Sequence, residues 1–87
     1  MEVILNARCM GERVKAHEYL KEQLDLPRYY GSNLDALYDC LTELNDTIIL
    51  IENMDAENSY FDKVYHVMQE AEKRNDELTI VLLDDEM

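Results

Sequence analysis

Within "LPRYYGSNLDALYDCL", residues 26–41, three side chains have the types and spacing to do chemistry: Asp35, Tyr38 and Asp39. A helix turns about 100° per residue, which gathers Leu34, Leu37, Leu41 and Leu44 into one arc with Cys40 at its edge. Asp35, Asp39 and Thr42 then fall on the opposite side, flanked by Tyr38. Carboxylates four apart on a helix repel by a few tenths of a kcal/mol. The pair contributes little to folding, which turns attention to what it can bind.

Acid–base catalysis would need a walled pocket that raises one carboxyl pKa, which neighbouring side chains on an exposed helix lack. A metal site would need converging ligands, and there is no HxxxH, HExxH or EF-hand loop. His17 lies on the apolar face of a first helix and His66 on the flank of a third; such positions suit packed or surface histidines. Cys40, beside an apolar face, reads as inert packing. Neither a Gly-rich phosphate loop nor GxSxG is present. The expectation is a protein that is not an enzyme and takes no cofactor or metal. What remains is recognition: an aromatic ring among carboxylates on a rigid helix has the composition of an interface hot spot, which Tyr29 and Tyr30 in the preceding loop could extend. The plain alternative is a solvated helix face with one snorkelling tyrosine.

The elements that must position these groups alternate along the chain. "VILNA" (Val3 to Ala7) predicts a short strand ending near Gly11. Ala16, His17, Leu20 and Leu24 share one face of a helix from Arg13 to Leu24, which Pro27 stops. Gly31 allows a tight turn, and Ser32 or Asn33 can cap the next helix, with Asp35 near its positive end; that helix runs to about Glu43. "TIILI" (Thr47 to Ile51) is apolar on both faces, as a buried parallel strand should be. A third helix, Ser59 to Arg74, puts Phe61, Val64, Val67, Met68 and Ala71 on one side. "LTIVLL" (Leu78 to Leu83) is another strand, and "DDEM" a solvated acidic tail. Strand, helix, helix, strand, helix, strand predicts one compact α/β domain over residues 1–87: a small parallel sheet with right-handed crossovers, one face covered and the other lightly protected.

Composition narrows the partners. The 87 residues are 47% hydrophobic, enough for a modest core, and carry 20 acidic residues against eight basic ones for a formal charge of −12. That balance repels nucleic acid and anionic membranes and favours a cationic protein, although excess acid also simply keeps a small domain soluble. No apolar run approaches the roughly 20 residues of a membrane helix, and none has the form of a signal h-region. Two widely spaced cysteines, Cys9 and Cys40, make no disulfide framework. A cytoplasmic protein, monomeric when free, is expected.

"HEYLKEQLDLPRYYGSNLDALYDCL", His17 to Leu41, resembles the signature of the barstar family of intracellular ribonuclease inhibitors. Its long ungapped core, LPxYYGxNLDALxDCL, makes the resemblance specific; outside it the similarity rests on the strand and helix pattern. The resemblance implies a three-stranded parallel sheet packed with three to four helices. It also implies a function: blocking the active site of a basic extracellular-type ribonuclease such as barnase, with an acidic helix standing in for phosphate. By position it implies Asp39 as central acidic anchor, Asp35 as second acidic contact, and Tyr29 and Asn33 as residues that shape the plug. Tyr38 stands where the prototype has tryptophan, and Thr42 is retained beside it. Glu70 aligns with a further acidic contact.

The chain departs from the family after Thr42, where Glu43, Leu44 and Asn45 replace a Gly-Trp segment that borders the interface. It is also shorter between the second strand and third helix. Two other functions therefore stand beside nuclease inhibition: a barstar-like interaction or regulatory module, and immunity to a different, non-barnase cationic partner.

Overall fold

The computed structural model describes residues 1–54 and 59–83; the "DDEM" stretch lies outside the described residues. Strands β1 (Glu2–Asn6), β2 (Thr47–Glu52) and β3 (Leu78–Leu82) form one parallel sheet in that order. Parallel neighbours need crossovers. Helices α1 (Arg13–Gln23) and α2 (Leu34–Thr42) make the first, and α3 (Ser59–Arg74) makes the second.

The strand register sets the core. Val3 stands opposite Ile49 and Leu5 opposite Ile51, while Ile49 also faces Ile80 across β3. Alternation turns Val3, Leu5, Ile49, Ile51 and Leu78 to the covered face, where they join Leu20, Leu37, Leu41, Phe61, Val64 and Met68 in one cluster. The opposite face carries Ile4, Ile48, Leu50 and Val81. It is lightly protected, as three strands predict, and Ile4 is 54% exposed.

Local chemistry shifts several boundaries. The first strand ends at Asn6 rather than Ala7, because the Asn6 side chain accepts from the Arg8 amide at 3.0 Å. The chain then winds into a short 3-10 helix, Ala7–Met10, that buries Ala7 and Met10. Pro27 does not end α1. The helix closes earlier in a Schellman motif: the Leu26 amide donates to the Lys21 carbonyl (3.0 Å) and Asp25 to Glu22 (3.4 Å), with Asp25 left-handed at φ 53°. Gly31 is not left-handed either; Ser32 takes that conformation, at φ 55°.

Both outer strands have outward amides answered from within the chain. On β3, Ile80 donates to the Glu72 carboxylate at 2.9 Å; on β1, Asn6 donates to the Tyr19 hydroxyl at 2.8 Å. Among the described residues no helix is long and apolar enough to cross a membrane.

Candidate functional site

Helix α2 carries the site, and its two sides do different work. Leu37 and Leu41 are fully buried, while Leu34, Cys40 and Leu44 are half-buried against the same core. A fully buried leucine contributes roughly 1.5–3 kcal/mol, well above the repulsion between Asp35 and Asp39. The leucines thus dictate which way the carboxylates point. Both aspartates are exposed.

The helix is held at both ends. Asn33 caps it, its side-chain oxygen accepting from the Ala36 amide at 2.7 Å. Gly31 lies tight under this cap: an added Cβ would stand 3.2 Å from the side-chain Nδ2 of Asn33. At the far end, Asn75 Nδ2 donates to the carbonyls of Leu41 (3.0 Å) and Leu44 (2.8 Å), satisfying acceptors that a helix C-terminus leaves free.

The expected site residues divide between two open clefts. Asp39 and Tyr29 line one of about 380 Å³, walled by Leu24, Leu26, Pro27 and Leu44. Tyr29 is 87% exposed. Asn33 and Asp35 line the other, of about 280 Å³, together with Arg13 and Tyr60. Tyr38 is half-buried on the core's margin and lines neither cleft. The Thr42 hydroxyl donates back to the Asp39 carbonyl at 2.8 Å, tying it to the helix turn that holds the anchor. Glu70 lies on α3, outside both clefts, and its carboxylate meets Lys73 at 3.4 Å. That is the one ion pair among the described residues, so Asp39 and Asp35 face no bonded cation there.

Tyr30 does not extend the surface. It is buried, and its hydroxyl meets His17 Nδ1 at 2.5 Å, while Tyr60 reaches Nε2 at 2.6 Å. A neutral imidazole has one donor and one acceptor, so one tyrosine donates to the ring and the other accepts from it. Burial first, and then the Arg13 charge, lower the His17 pKa from its ordinary 6.5. The trio joins α1, the loop bearing Tyr29, and the start of α3. His66, by contrast, is exposed.

Sequence reasoning did not anticipate Arg13 beside Asp35, or Asp25 and Glu43 on the Asp39 cleft. Only Glu43 left a signal, continuing the four-residue step from Asp35 through Asp39. The Cys40 thiol registers the result: its pKa is raised, mainly by burial and then by Glu43 and Asp39. Among the described residues no group of three or more His, Cys, Asp or Glu side chains is placed to hold a metal ion.

The comparisons agree with this architecture. The family model described as "Barstar (barnase inhibitor)" matches residues 1–83. The "Putative ribonuclease inhibitor YrdF" of Bacillus subtilis (strain 168) is 40% identical over 88 residues, covering 93% of this chain and 97% of that protein. An acidic, capped helix packed on α3 beside a three-stranded parallel sheet, with a sequence match nearly end to end, leaves one conclusion: the chain belongs to the barstar family.

Proposed function

We propose that this protein is a cytoplasmic inhibitor of a basic ribonuclease, binding the enzyme's active site through the outward face of α2. The carrying observation is Asp39: exposed on a helix fixed at both ends, beside the exposed ring of Tyr29, with no bonded cation among the described residues of its own chain. A ribonuclease cleft is lined by cations that hold phosphate. The Asp39 carboxylate offers those donors a negative oxygen pair in charge-assisted hydrogen bonds, and Asp35, with Asn33 beside it, offers a second contact. Tyr29 and Tyr38 supply apolar area around the charges, and Thr42 orients the turn. Glu70 forms an outlying contact after giving up its exposed pairing with Lys73, a small loss for a surface ion pair. The free protein is a monomer, and the blockade is steric and electrostatic.

The test is direct. Purified protein is mixed with barnase at increasing ratio and RNA cleavage is followed. Loss of cleavage at one-to-one stoichiometry is expected. Full cleavage at large excess would remove the barnase-type target.

The altered edge at Glu43, Leu44 and Asn45 favours one other outcome, a barstar-like module or immunity protein for a different cationic partner. That function predicts binding through Asp39 without any effect on ribonuclease activity.

A further inference from the structure

His17 is buried on α1, and the outward face of α2 makes no use of it. We infer, resting on the ribonuclease-inhibitor function, that the bridge from Tyr30 through His17 to Tyr60 positions the loop of Tyr29 for binding, and that acid opens the bridge and weakens the grip on the partner. His17 is then a positioning residue, joined to the binding surface through Tyr30.

The loop, residues 27–32, has few ties of its own. The Tyr30 amide donates to the Pro27 carbonyl at 2.9 Å, and Asn33 Nδ2 donates to the Gly31 carbonyl at 3.4 Å, both local bonds. The Tyr30 hydroxyl reaches further, meeting His17, whose other nitrogen meets Tyr60 at the start of α3. The imidazole also packs against both rings, at centroid distances of 5.8 and 5.5 Å. Neighbouring residues of a turn share its backbone, so seating Tyr30 in the core fixes the direction in which Tyr29 projects. An interface ring held in place before contact loses less conformational entropy on binding.

The bridge suits a neutral ring and not a cation. Neutral imidazole gives one bond and takes one; an imidazolium only donates, so the tyrosine that had donated to it loses its acceptor. Neither hydroxyl relieves this by ionising, because burial raises both tyrosine pKa values. The groups facing the ring offer little compensation. Arg13, one turn earlier on α1, repels an imidazolium. From α2, Asp35 shares an open cleft with Arg13 and Tyr60, and the Cys40 thiol, its own pKa raised by burial, acts on Tyr30. Among the described residues no carboxylate forms an ion pair with His17. Burial and then Arg13 hold the His17 pKa below 6.5, and proton uptake favours a state with the ring in water. The loop, with local bonds alone, is the element that yields.

Two measurements on the full chain test it, the second without a partner. Dissociation constants for barnase are taken from about pH 8 to about pH 5 for the parent and for His17→Gln, whose amide keeps a donor and an acceptor but does not titrate. The partner's own titration is common to both. Below pH 6.5 the parent should lose affinity relative to the variant, by at most about tenfold per pH unit. Parallel profiles would overturn the positioning role and leave the inhibitor function standing. In the free protein the Tyr30 amide reports the loop. Its hydrogen-exchange protection should fall between about pH 7 and about pH 5 in the parent and stay level in His17→Gln. In Tyr60→Phe, which removes one end of the bridge and carries the test if His17→Gln does not fold, it should be roughly threefold to tenfold lower at neutral pH. Protection that is level in the parent, or untouched by Tyr60→Phe, would overturn the bridge whether or not barnase is inhibited.

Discussion

A hydrated carboxylate exchanges water for charged donors when it enters a cationic cleft, so the free energy of truncating it falls mostly on the partner cations left without an acceptor. For Asp39→Ala the expected loss of affinity is about 2–5 kcal/mol, a range drawn from buried charge pairs at interfaces that include the barnase–barstar pair itself. Calorimetric titration against barnase measures it; a loss under about 1 kcal/mol would be far below hot-spot size. His17 gives a prediction of a different kind. Its folded pKa lies below 6.5 because burial and Arg13 disfavour the imidazolium. The unfolded chain therefore binds the proton more readily, and the contribution of His17 to stability is complete above pH 6.5 and is lost as the pH falls toward the folded pKa. Urea melts between about pH 8 and pH 5 should show a weaker pH dependence in His17→Gln than in the parent, the difference being at most about 1.4 kcal/mol per pH unit. Equal dependence in parent and variant would mean that the histidine takes up its proton equally in both states.

At the scale of elements, α2 works because two asparagines close its ends, Asn33 as its own N-cap and Asn75 from beyond α3. Removing the Asn33 cap by Asn33→Ala should cost about 1 kcal/mol. Asn75→Ala should cost about 1–3 kcal/mol, since it leaves the Leu44 carbonyl without its donor and removes one donor from the Leu41 carbonyl, which keeps the Leu44 amide at 3.3 Å. Both are read as shifts in the urea midpoint, and the second should also weaken binding by loosening the turn that holds Asp39. Much of this element was legible from sequence: the leucine arc, the outward carboxylates and a cap at Ser32 or Asn33 all follow from the helical period and cap preference. The tie from Asn75 was not, because nothing local links it to Leu41 and Leu44, which stand 34 and 31 positions away. Nor could a loop without periodicity tell Tyr29 from Tyr30, adjacent identical residues of which one is 87% exposed and the other 6%.

The whole molecule contributes its charge. At −12, it draws a basic partner in from beyond contact distance, so association should slow steeply as salt rises. Stopped-flow mixing with barnase from low to high ionic strength checks this. A rate indifferent to salt would confine electrostatics to the bound state. The order and types of the strands and helices were readable because apolar periodicity reports which residues must share a core. The clefts were not, since one arises where the α1 turn meets α2 and the other where the starts of α1, α2 and α3 meet, both tertiary juxtapositions. One modest contact has a wider meaning. A three-stranded layer leaves two unfinished margins, and a vacant main-chain donor on either could recruit another molecule's backbone and begin a fibre. By filling the Ile80 amide from inside, Glu72 removes one such foothold from the third strand.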